Sequence, residues 1–306
     1  MIKTRNIIPF AVLLVLYGCS SIQSKPFEDF SKAVTQANTS IDSVLSKNYD
    51  WEKNNFYGDF LGGKNKLSAL RIQRKGAFQL ASPDSLFTSI ADTRLTLKSL
   101  NEATIKYAKL LLTLSGNELI DPKTFEGMAK DVKNSMNSIF KSLDEKVPGP
   151  AIPAFSLAAS EIARLAVEHQ RKAGLIRILR SGQPSVERYA AKVVSLIATL
   201  EQSLSFSYAK RFDNLSGQFD RLSAKDGVKD KEGKAFLDEA LKLNDEYTQA
   251  VDALSEVKRI YESIPEAHKQ LLAAAENSGT GVQAIGALSE SVVRLERIYT
   301  ERTTGK

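Results

Sequence analysis

The chain has 306 residues, enough for a large core or two subdomains, with 42 basic against 36 acidic residues and a single cysteine. That mild, well-mixed positive charge gives no basis for nucleic-acid binding, and one cysteine excludes an intrachain disulfide, so stability must come from packing. Alternating strand patterns are essentially absent, and the reading throughout is of amphipathic helices.

The N-terminus starts with a short basic region, Lys3 and Arg5. An apolar run from Ile7 to Leu16 follows, too short to span a bilayer and of the length of a secretory core. It ends in Leu16-Tyr17-Gly18-Cys19. These residues resemble the lipobox of bacterial lipoproteins, in which an aliphatic residue and a small residue precede a cysteine. The resemblance covers residues 1–21 only. It implies residues 1–18 as a cleaved signal peptide, Cys19 as the lipidated first residue of the mature chain, and residues 19–26 as a short tether. Ser20 after the cysteine, in place of aspartate, implies transfer to the outer membrane, with the body facing the periplasm. Two or three acyl chains anchor firmly, since each buried methylene contributes about 0.8 kcal/mol.

The body is expected over 27–306. Phe27, Phe30, Val34, Ala37, Ile41 and Val44 follow 3-4 spacing, with Trp51 in register. Residues 54–66 are aromatic and glycine-rich and predict an irregular connector, with a short helix over 67–80. Ser82-Pro83-Asp84 is a helix start, and Leu86, Ile90, Leu97, Leu100, Tyr107, Leu111 and Leu114 form its seam up to the capping position of Gly116. Asp121-Pro122 begins the next helix. Three prolines then break the chain in the apolar elbow 147–153, which separates two possible subdomains, 27–146 and 154–306.

A helix is predicted from about Ala154 to Ser181, ended by Gly182-Gln183-Pro184. The following one, Pro184 to Ser223, would be about 60 Å long. Residues 224–230 are a polar turn. Another helix carries Phe236, Ala240, Leu243, Tyr247, Leu254 and Tyr261 and ends at Ile264-Pro265; the last starts at Pro265, with a weak point at 277–281. Short breaks make neighbouring helices pack as antiparallel hairpins. The fold class is therefore all-α, an elongated antiparallel bundle of long amphipathic helices.

No catalytic motif stands out. Neither His169 nor His268 has the glutamate spacing of a di-iron bundle, so no metal and no cofactor is expected. The Ser-x-x-Lys spacings at Ser138, Ser207 and Ser255 lack the companion motifs of penicillin-recognising enzymes. Two stretches rise above background. The elbow carries Val147, Ile152 and Phe155, which either tuck against the bundle or form an exposed tip that meets a partner or a membrane. The basic group Arg171, Lys172, Arg177 and Arg180, with Arg188 nearby, either favours a helix C-terminus or meets lipid phosphates or an acidic partner. The sequence thus points to a non-enzymatic, lipid-anchored envelope protein whose bundle binds another protein, as adaptor, assembly factor or immunity-type partner. The alternative is a membrane-active or lipid-handling bundle.

Overall fold

A computed structural model describes residues 22–61, 71–75, 77–81, 86–116, 121–155, 171–226, 230–276 and 283–300. Six helices are described: α1 Lys25–Leu61, α2 Leu86–Ser115, α3 Pro122–Lys146, α4 Arg171–Asp226, α5 Asp230–Glu276 and α6 Gln283–Thr300. The fold is all-α, with one small exception between α1 and α2. There β1 (Arg71–Lys75) pairs antiparallel with β2 (Ala77–Ala81), Arg71 opposite Ala81 and Gln73 opposite Gln79. The sequence Ala77-Phe78-Gln79-Leu80-Ala81 alternates with period two, and this wins over the short helix expected at 67–80. The connector expected at 54–66 also recedes, because α1 stays helical to Leu61.

Contacts set the helix directions. Lys146 reaches Asp92 and Lys106 reaches Asp131, so α2 and α3 run antiparallel. Arg180 pairs with Glu276, Lys269 with Glu187, Lys258 with Glu201, and Phe219 packs on Phe236, so α4 and α5 run antiparallel over nearly their whole lengths. Gln249 bonds the Ile298 carbonyl and Gln270 the Ala284 amide, folding α6 back along α5. With 56 residues in α4 and 47 in α5, these rods extend about 84 and 70 Å. The buried core is one continuous cluster that draws on all six helices and crosses the elbow without a gap.

Two predicted breaks are not breaks. Pro184 and Pro265 lie inside α4 and α5. A proline in a helix interior removes one hydrogen bond and costs about 3 kcal/mol. Here the flanking turns are held by burial of Val186, Tyr189, Ile264 and Ala267. Gln183 also donates to the Pro265 carbonyl across the pair, at 3.2 Å. Other ends follow the sequence. Asp121 caps α3 by accepting from the Thr124 amide at 2.9 Å, and the Gly116 amide closes α2 on the Leu112 carbonyl.

Candidate functional site

The residues singled out from sequence fall into three groups. Cys19, like His169, lies outside the described residues. The elbow tucks its large side chains into the bundle, while Pro148, Gly149, Pro150, Ala151, Pro153 and Ala154 stay exposed. Val147, Ile152 and Phe155 are all buried, Phe155 to within 1% of its surface. An apolar loop can be buried only if its backbone polar groups are satisfied, and side chains from α3 and α4 do this. Asp144 accepts from the Ile152 amide, Asn137 accepts from the Phe155 amide at 2.7 Å, Ser185 donates to the Pro153 carbonyl and buried Lys192 donates to the Val147 carbonyl at 2.6 Å. Phe155 then meets Tyr107 edge-on, with ring centres 5.0 Å apart. Val147, Ile152 and Phe155 thus tuck against the bundle and are not themselves an exposed tip, because partners for the loop exist on both sides.

The basic group is spread over local partners. Arg171 donates to the Gly116 carbonyl at 2.8 Å, which caps the C-terminus of α2. Arg180 binds Glu276 through two donors. Lys172 and Arg177 also have interaction partners within the chain. The expected helix C-terminus near Ser181 does not exist, since α4 runs straight on. The cation that caps a helix end caps α2 instead.

Three features were not read from the sequence. The first is a polar relay at the level of the two prolines. Gln183 donates through Nε2 to Glu187 and to the Pro265 carbonyl, so its Oε1 faces His268 Nδ1, at 2.5 Å. Nδ1 therefore carries the ring proton, and Nε2 accepts from the Tyr107 hydroxyl at 2.7 Å. Burial pushes the His268 pKa down to about 3, so the ring is neutral. Gly182 lets this cluster close: a Cβ there would lie 3.1 Å from Phe155 and 3.2 Å from the Tyr107 hydroxyl. Tyr107 and His268 are buried and fully bonded, and the relay meets solvent only at Gln183 and Glu187, which suits positioning of helices rather than chemistry on a substrate.

The second is a polar row on α1. Asn48 and Glu52 are buried, and Asn48 Nδ2, Glu52 Oε1 and Asn55 Nδ2 have no protein partner. Burial raises the Glu52 carboxyl to about 7, against the opposing pull of Ser207 and Arg211. Trp51 beside it stacks on Tyr208 at 3.7 Å and donates to Glu246 at 2.7 Å. Arg211 donates to Asn55 and lies over the Trp51 ring.

Beyond this root the α4–α5 pair continues as an arm, residues 212–226 and 230–243, in which nearly every described side chain is exposed or half-buried. This is the third feature. Its seam is regular: Tyr208, Phe212, Leu215, Phe219 and Leu222 on α4 face Phe236, Ala240, Leu243 and Tyr247 on α5, all at alternating spacings of three and four. Yet Phe212 and Leu222 remain half-exposed, and Phe206, Leu237 and Leu241 are 73%, 59% and 56% exposed. Patches of large apolar side chains on a surface mark contact sites. Among the described residues, no cluster of three or more His, Cys, Asp or Glu side chains is placed to hold a metal, and no helix is long and apolar enough to cross a membrane. No protein-family model, curated protein or solved structure matches the chain.

Proposed function

We propose that the chain is a lipid-anchored bacterial envelope protein that works by recognising another protein, with the α4–α5 arm as its recognition element. The observation that carries this reading is the exposure of Leu237 and Leu241, one turn apart on the arm, with Phe206 exposed near its root, at the end of the bundle away from the start of α1. Helix α1 begins at Lys25, six residues after Cys19, and reaches the root of the arm at Trp51 and Asn55. Counting along α1 and then along the arm puts the tip about 60 Å from the first turn of α1. A tether on Cys19 would hold one end of the bundle at the outer membrane and present the arm to the periplasm. Amphipathic helices recognise partners through such apolar side chains. The buried and bonded Tyr107 and His268 suit a scaffold better than a catalyst.

The test has two parts. Growth with radiolabelled palmitate should label the wild-type chain, and Cys19→Ser should lose both label and membrane partition; a Cys19→Ser chain that keeps both removes the anchor. Purification from solubilised membranes should bring a stoichiometric protein down with the wild type and not with Leu237→Asp/Leu241→Asp. Recovery of the chain alone and as a monomer would remove the recognition role.

A further inference from the structure

In the stretch of body adjoining the arm, one flank of the α4–α5 pair faces the other helices. There α4 buries Ile197, Leu200 and Leu204, and α5 buries Ala253, Glu256 and Ile260. The opposite flank faces water with Ser195, Thr199, Gln202 and Glu262 exposed. Followed by sevens into the arm, the two flanks exchange character. The covered flank continues as Arg211, Gln218, Arg221, Glu239 and Glu232, all exposed. The wet flank continues as Phe206, Ala209, Asp213, Ser216 and Asp220 on α4 and as Leu241 and Lys234 on α5, with Leu237 beside Leu241 one turn away. The apolar strip of the arm is therefore not a frayed end of the core. It is a separate surface on the other side of the pair.

Resting on the recognition reading above, we infer that the occupant of this strip is the arm of a second copy, laid alongside in parallel to form a four-helix bundle. A two-fold axis along the arm sets α4 of one copy against α5 of the other. The strip is complementary to itself under that operation. At the level of the leucines the α5 side is large (Leu237, Leu241) and the α4 side is small (Ser216, Ser223), so each leucine meets a shallow row, with Phe206 standing nearer the root. The outer row of α4 is acidic at Asp213 and Asp220, whereas that of α5 carries Lys234. The pairing of Phe219 with Phe236 puts Lys234 level with Asp220 to within a residue, so the opposite charges meet between copies. The parallel sense keeps both N-termini at one end, as two chains anchored in one leaflet require. An antiparallel pair would send them to opposite ends. Two helices about 25 Å long and 10 Å across bury roughly 500 Å² per copy, at the lower edge of specific interfaces. Such a pair is weak in solution and is favoured by the high effective concentration of a shared membrane.

The full-length chain, expressed in its own membrane with a photo-crosslinking phenylalanine analogue at Phe206 or Leu237, tests this. The expected product has twice the chain mass and contains both of two differently tagged copies. The same probe at Leu95, exposed on α2, should give none. Asp220→Lys should lower the yield at least five-fold, and Asp220→Lys with Lys234→Asp should restore it, with helicity by circular dichroism unchanged in both. Cross-linking to a different protein overturns the second-copy proposal and leaves protein recognition standing. No product from either position overturns both. A dimer indifferent to the Asp220 reversal overturns the proposed register.

Discussion

The same two helices build two different regions. Within the body, α4 and α5 are flanked by α1, α2 and α6, and residues such as Leu254, Val257, Val193 and Ile197 are wholly buried. Sixteen residues beyond Tyr208 on the same rod, Ala224 is exposed, and the seam residues Phe212, Phe219 and Leu222 keep 50%, 37% and 44% of their surface. Helix propensity and heptad spacing are alike in both. What differs is the number of neighbours, and an antiparallel pair alone cannot enclose a phenylalanine seam. Stability therefore resides in the body, and the arm is left available for contact.

Acid should weaken the body most. His268 is neutral in the fold with a pKa near 3, against about 6.5 when unfolded, so its folded value is depressed. Its contribution is complete above pH 6.5 and is lost as the pH falls toward 3. Linkage makes this at most about 5 kcal/mol. Urea denaturation followed from pH 7 to 3 should show that fall, and His268→Gln should flatten it. A cavity in the body comes next. Leu254→Ala should cost about 2–5 kcal/mol, read as a lower midpoint at unchanged slope.

At the root of the arm the sign reverses. The folded Glu52 carboxyl is raised to about 7 from 4.5, so stability is complete below pH 4.5 and declines as the pH rises through 7. Glu52→Gln should stabilise the chain by about 2–3 kcal/mol at pH 8 and leave it unchanged at pH 4. Equal effects at both values would mean that the charge is not what the fold opposes. The smallest effect belongs to the arm itself. Leu241→Ser should move thermal stability by less than about 0.5 kcal/mol in dilute solution, since the side chain is already exposed. A large loss would show that the arm shares in the body's cooperative unit.

Much of the bundle was legible because helical periodicity is long and repeated. The seams of Phe27–Val44 and Ile90–Leu114 lie in the core. The breaks were harder. Gly182-Gln183-Pro184 and Ile264-Pro265 carry strong stop signals, and local rules say nothing of a helix beside them that will hold both turns in place. The elbow was ambiguous for a related reason. Its burial depends on Asp144, Asn137, Ser185 and Lys192, which lie up to 45 residues away. The arm's strip hid in plain composition: Phe206, Leu237 and Leu241 each fall just off the seam, and an off-seam apolar residue is noticeable only after the seam has been assigned a direction.

Pro184 and Pro265 stand at one height on neighbouring rods. Each lacks an amide proton, so two rungs of the backbone ladder are missing from a single cross-section of the two longest helices. A sideways load on the tip of the arm, carried down some 60 Å of stiff helix, bends the pair first at that notch. The relay of Gln183, His268 and Tyr107 bridges the notch, so it is also the brace that sets how stiffly the lever stands.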